Sequence, residues 1–189
     1  MNTKMSKPNN WRQVFSEDIL VPRRIEERQT TRMQPIQRLL QQTRIDGDLD
    51  LSGIPITNLG NVEYVSGNLN LENTLITSLG KLKYVGGYLN LWFTHITDLG
   101  DLEYVGGYLD LYQTPITSLG NLERVGGWLD LRGTLITDLG RLNYVGRWLD
   151  LRNTPIASMS DDQKKAMLKD IEVDSVYFLD YHKYERDLS

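Results

Sequence analysis

The chain contains no cysteine, which removes a disulfide framework, a thiolate metal site and a cysteine nucleophile together. Histidine is almost as scarce: only His95 and His182 occur, and no nucleophile–base pair, phosphate loop or metal motif stands beside them. His95 falls in a variable slot that is Pro or Leu elsewhere and reads as a surface spacer. The expectation is a protein that is not an enzyme and uses neither cofactor nor metal. No stretch approaches the roughly 18 apolar residues of a membrane span, and the opening Met-Asn-Thr-Lys-Met-Ser-Lys-Pro-Asn-Asn lacks the apolar centre of a signal peptide. A cytoplasmic protein without membrane contact is expected.

Of 189 residues, 40% are hydrophobic and 24% charged, too apolar a mixture for disorder. The net charge of −4 is unevenly spread. Residues 1–44 carry nine Lys or Arg against four acids, a net +5, and residues 45–189 carry twelve against twenty-one, a net −9. An acidic body repels phosphate backbones, so nucleic acid is not expected on it. The basic arm reads either as a solvated helical face or as a contact for an acidic partner.

The segment Gly67-Asn-Leu-Asn-Leu-Glu-Asn-Thr-Leu-Ile-Thr-Ser-Leu-Gly-Lys-Leu-Lys-Tyr-Val-Gly86 starts again at Gly87, Gly107 and Gly127, a period of 20 residues. With copies starting at Gly47 and Arg147, six copies fill residues 47–159 without an insertion. A short fixed period marks a solenoid, whose copies bury a continuous core only by stacking. Leu49 and Leu51 head two columns repeated through Leu149 and Leu151, and this alternation has the period of a strand with one buried face. Columns headed by Leu59, Val62 and Val65 are spaced by three and suggest a helical or 3-10 turn. Asn58, Ser78, Asp98, Ser118, Asp138 and Ser158 precede it as residue types able to cap a helix start. Gly67, Gly87, Gly107 and Gly127 let the chain turn into the next strand.

Leu89-Asn-Leu91-Trp-Phe-Thr94-His-Ile96 resembles the leucine-rich-repeat segment Leu-x-Leu-x-x-Asn-x-Leu, and the match recurs through residues 47–159. Two departures stand out: Thr74, Thr94, Thr114, Thr134 and Thr154 replace the usual Asn, so a threonine ladder could stand in for the asparagine ladder, and Ile54 breaks the column in the first copy. The resemblance, to short repeats met in bacterial and bacteriophage proteins, implies an α/β solenoid. Its form would be a right-handed arc with one parallel sheet of about six strands, short helical turns on the other side, and a surface that binds macromolecules. Leucine-rich-repeat effectors with a cysteine-dependent ubiquitin-ligase domain do not fit a chain that lacks both the cysteine and the length.

The flanks read as caps: residues 1–46 as a helical cap with the basic arm, residues 160–189 as a second helical cap. Helices are expected around Trp11–Leu20 and Pro35–Gln42, with Ile36, Leu39 and Leu40 covering the first copy. At the other end Ser160-Asp-Asp-Gln reads as a helix start, Met167, Leu168 and Ile171 are expected to face the last copy, and Val176–Leu179 to add a closing strand.

Residues flanking the buried leucines alternate outward. The first outward column is Asp48, Asn68, Tyr88, Tyr108, Trp128 and Trp148; the middle is Asp50, Asn70, Asn90, Asp110, Asp130 and Asp150; the third is Ser52, Glu72, Trp92, Tyr112, Arg132 and Arg152. Large aromatics on a solvated sheet, with Arg beside them, are the types that dominate binding hot spots, although cross-strand stacking alone would also stabilise a ladder. The aspartates admit three readings: an internal lattice with Arg132 and Arg152, an acidic row for a basic segment, or a calcium row, the last lacking converging oxygens. The binding residues expected are Tyr88, Trp92, Tyr108, Asp110, Tyr112, Trp128, Asp130, Arg132, Trp148, Asp150 and Arg152. Eighteen outward positions approach one side of a standard protein interface, roughly 20–30 residues. A protein partner is therefore the leading expectation, within it a phage-encoded inhibitor of a host protein, with an antitoxin-like role as nearest competitor. A glycan or small ligand on the same aromatic face is the alternative.

Overall fold

A computed structural model describes residues 34–179 and the backbone of 182–184. The helix expected around Trp11–Leu20 and most of the basic arm lie outside the described residues. The chain divides into two compact units, Met1–Leu39 and Leu40–Ser189. In the first, residues 34–39 are helical.

The second unit is a β-solenoid built on the 20-residue period, and each turn contributes two short parallel strands instead of the one expected. One ladder contains Arg44–Ile45 (β1), Tyr64–Val65 (β3), Tyr84–Val85 (β5), Tyr104–Val105 (β7) and Arg124–Val125 (β9). The other contains Leu49–Asp50 (β2), Leu69–Asn70 (β4), Leu89–Asn90 (β6), Leu109–Asp110 (β8) and Leu129–Asp130 (β10). Both end on Tyr144–Asp150 (β11), which runs through the corner and joins them into eleven strands, not six, and two strands of the C-terminal flank bring the sheet to thirteen among the described residues. Within the two ladders register is strict: each strand residue pairs with the one 20 positions away, as in Leu69 with Leu89 and Tyr84 with Tyr104. The Leu-x-Leu segment stays hydrogen-bonded beyond the two-residue strands, since the amides of Leu69, Leu71 and Asn73 donate to the carbonyls of Tyr88, Asn90 and Trp92.

The expected helical turns are absent from the repeats starting at 47 through 127. Leu59 and Val62 are three apart because they bracket a tight turn, in which the Val62 amide donates to the Leu59 carbonyl. Gly60 sits between them at φ +61, and Gly80, Gly100, Gly120 and Gly140 repeat that left-handed conformation. A left-handed residue cannot propagate a right-handed helix, and the next amide, that of Glu63, turns away to the Thr43 carbonyl 20 residues back, as that of Lys83 does to Glu63. The presumed helix caps serve this turn instead: Asn58, Ser78, Asp98, Ser118 and Asp138 accept the amide of the glycine two residues on. Only the last copy has a 3-10 turn, Pro155–Ser158, among the described residues.

Thr74, Thr94, Thr114, Thr134 and Thr154 are buried, yet they form no ladder between copies. Each hydroxyl donates to the leucine carbonyl three residues back in its own turn, as from Thr94 to Leu91 at 2.7 Å. The second glycines of the corner lack positive φ and are needed for space: a Cβ at Gly107 would lie 2.9 Å from the Gly87 carbonyl carbon.

The core is the stack of aliphatic columns; Leu69, Leu71, Ile76, Leu82 and Val85 are all fully buried. Leu40 is buried at its start. The far end is sealed by more than a helix. Asp161–Leu168 is helical with a complete Ser160–Gln163 capping box, and then Glu172–Leu179 (β12) pairs in parallel with β11. His182–Tyr184 (β13) turns back antiparallel on β12. Leu168, Ile171, Val176 and Phe178 are buried there, whereas Met167 is only half-buried.

Candidate functional site

The three columns beside the buried leucines differ in what they do. Asn and Asp fill the middle column because each closes the turn that ends its strand. The side-chain oxygens of Asp50, Asn70, Asn90, Asp110, Asp130 and Asp150 accept the amide two residues on, at 2.9–3.2 Å. Sequence reasoning saw an outward acidic row and missed this local duty, although the restriction of the column to Asp and Asn was its signal.

Nor is the whole row outward. Asp130 and Asp150 are 1% and 2% exposed, which corrects their placement on the solvated face. They are the internal lattice: Arg132 is bidentate on Asp130 and reaches Asp150 at 3.6 Å, and Arg152 holds Asp150 at 2.7 Å. Both guanidinium forks are thus engaged within the chain. The carboxylate of Asp130 raises the Arg132 pKa further above its ordinary value. Asp50 and Asp110 move in opposite directions at the same column position. The Ser52 amide lowers the Asp50 pKa at the exposed end, whereas burial raises that of Asp110, with Asp130 and Glu72 adding repulsion against the Tyr112 amide and Arg132.

The first column changes character along the array. Asp48 and Asn68 use side-chain oxygens to accept the amides of Asn68 and Tyr88 in the following copy. From Tyr88 onward the column is a stack of half-buried rings: Tyr88, Tyr108, Trp128 and Trp148 lie at successive centroid distances of 4.7, 4.3 and 4.9 Å with planes within 7°. These distances follow the roughly 4.8 Å spacing of strands, so the ladder sets the stack. Tyr177 of β12 meets Trp148 edge-on and ends it.

In the third column Trp92 stacks on Phe93 and tilts at 48° to Tyr112, 6.1 Å away, and Arg132 lies over the Tyr112 ring at 4.8 Å. Phe93, which sequence reasoning did not single out, is 54% exposed and adopts φ +55. Its counterparts in that left-handed turn position are Gly53, Asn73, Gln113, Gly133 and Asn153; a bulky ring there is an outlier. The indole Nε1 of Trp92 is buried without a hydrogen-bond partner.

The sequence also hides a second stack on the other ladder. Tyr64, Tyr84 and Tyr104 stack at 4.4 and 4.7 Å, Arg44 covers Tyr64, and Arg124 covers Tyr144. The tyrosine column was visible in the period, but its strand was not.

His95 is exposed, with its amide bonded to the Ile76 carbonyl. Among the described residues no three His, Asp or Glu side chains gather as a metal site, and no helix is long and apolar enough to cross a membrane. No family model matches the chain, and neither a curated protein nor a solved structure matches it.

Proposed function

We propose that the chain is a non-catalytic scaffold of the leucine-rich-repeat kind that binds another protein through the C-terminal half of its aromatic face. One observation carries the reading: the continuous, half-exposed stack Tyr88–Tyr108–Trp128–Trp148, flanked by Trp92, Tyr112 and the locked Arg132 and Arg152. Rings and arginines held rigidly by a ladder lose little entropy on binding and supply large contact area, the properties of interface hot spots. A glycan is the weaker reading, because neighbouring rings cover the faces of Tyr108 and Trp128 that a sugar would need. The short repeat suggests, within the protein-binding class, a bacteriophage-encoded inhibitor of a host protein.

The test uses wild-type protein and two double variants as baits in extract of the source cell, with bound proteins quantified by mass spectrometry. A partner should be retained by wild type and by Lys83→Ala/Glu123→Ala, which lies outside the aromatic face, and lost from Trp128→Ala/Trp148→Ala. Equal capture by all three baits would overturn the proposal.

A further inference from the structure

In the last two repeats each middle-column aspartate is neutralised by the residue two positions on, Asp130 by Arg132 and Asp150 by Arg152. The preceding repeat keeps the aspartate and lacks the cation. Asp110 is followed by Tyr112, accepts the Tyr112 amide at 2.9 Å, and has no ion pair among the described residues. Asp130, Arg132 and Glu72 act on its charge without pairing with it, and Tyr112, two residues on, joins it to an aromatic cluster. Trp92 and Tyr112 stand 6.1 Å apart and tilted by 48°, and Phe93, exposed, extends the Trp92 ring in a backbone conformation its counterparts leave to Gly, Asn and Gln. One repeat on, Arg132 shows how a cation fits this pattern: its fork lies on a carboxylate and its Cζ lies over the Tyr112 ring.

We propose that Asp110, with Trp92, Phe93 and Tyr112, receives an arginine side chain of the partner protein, which supplies the cation this repeat lacks. The inference rests on the protein-binding reading above and names the partner's chemistry as an exposed arginine in a basic segment. Arginine suits the site better than lysine because its planar fork pairs with a carboxylate while its face stacks on a ring. The net −9 of residues 45–189 draws a basic segment toward it.

The probe is the acetylated, amidated peptide Gly-Gly-Arg-Gly-Gly, with versions carrying lysine or citrulline instead, titrated into the full chain labelled with nitrogen-15. The readout is the Trp92 indole signal, assigned with Trp92→Phe. The arginine peptide should move that signal saturably, lysine more weakly, and citrulline not at all. Asp110→Asn should weaken binding by about tenfold or more, whereas Glu103→Gln, an equal charge change off the face, should weaken it less than about twofold. Asn70 and Asn90 hold the same turn bond as Asp110, so Asp110→Asn retains the local fold. Equal movement by the citrulline peptide, or no greater loss in Asp110→Asn than in Glu103→Gln, would overturn the inference. Failure here with partner capture still dependent on Trp128 and Trp148 would leave the protein-binding reading standing; capture indifferent to those tryptophans would remove that reading whatever the peptide does.

Discussion

A Cβ at Gly106 would sit 2.1 Å from the Gly86 carbonyl oxygen, closer than any real contact, and Gly126 and Gly146 repeat the approach. Backbone meets backbone there, so nothing flexible can yield. Gly106→Ala should cost about 3 kcal/mol or more, whereas Gly47→Ala, which has no atom within 4 Å and only its φ of +93 to strain, should cost roughly 1–2 kcal/mol. Urea denaturation of the two variants checks the difference. Asp110 supplies a pH test. Burial raises its folded pKa above the unfolded value, so the folded chain binds the proton more tightly and loses stability as pH rises through the interval between the two. Asp110→Asn should therefore be more stable than wild type at pH 7, and the advantage should vanish below the ordinary aspartate pKa of about 3.9. An unchanged difference across pH would contradict the burial of that carboxylate. The sequence disclosed Asp110 as a column member followed by Tyr112 where later copies have Arg, but not that Arg132 and Arg152 fold back onto Asp130 and Asp150, because that depends on which way the side chains point.

At the scale of elements, the Leu-x-Leu strand was readable because alternation is unambiguous, and the second strand was not, because Tyr64–Val65 is two residues long and carries no alternation. The i, i+3 spacing of Leu59, Val62 and Val65 fits a helical turn and a tight turn followed by an extended step equally well. The positive-φ glycine decides between them, and its conformation is not written in the sequence. The core columns themselves were legible. Leu111 is fully buried, and Leu111→Ala should cost roughly 2–5 kcal/mol by opening a cavity. Leu135, in the slot held elsewhere by Pro, Leu or His, is 55% exposed, and Leu135→Ala should change stability by less than about 0.5 kcal/mol. Equal losses at the two positions would shift the strand register.

Across the whole molecule, the array ends where β12 covers β11 with Val176 and Phe178 buried against it. An uncovered parallel edge is a template for another chain, so a chain ending at residue 159 should self-associate, seen by size-exclusion chromatography with light scattering, while the full chain keeps that edge paired. The closing strand was anticipated from Val176–Leu179, whereas its reach back to Glu172 and the β13 hairpin were not, since both depend on pairing with distant residues. The candidate face was legible as columns, and its chemistry was legible only in part. Arg132 and Arg152 are spent on Asp130 and Asp150, so the tryptophans, not the arginines, are the clean probes of recognition. Removing either arginine would strand a buried carboxylate and cost about 3–5 kcal/mol of stability, confounding any loss of binding.

The most direct measurement is the affinity of the captured partner for Trp128→Ala and Trp148→Ala, beside Lys83→Ala and Glu123→Ala, once circular dichroism shows all four folded. A loss of about 2 kcal/mol or more, roughly thirtyfold, is expected at each tryptophan and little change at Lys83 or Glu123. Full affinity in both tryptophan variants, with a loss at Lys83 or Glu123, would contradict that expectation and move recognition off the aromatic face.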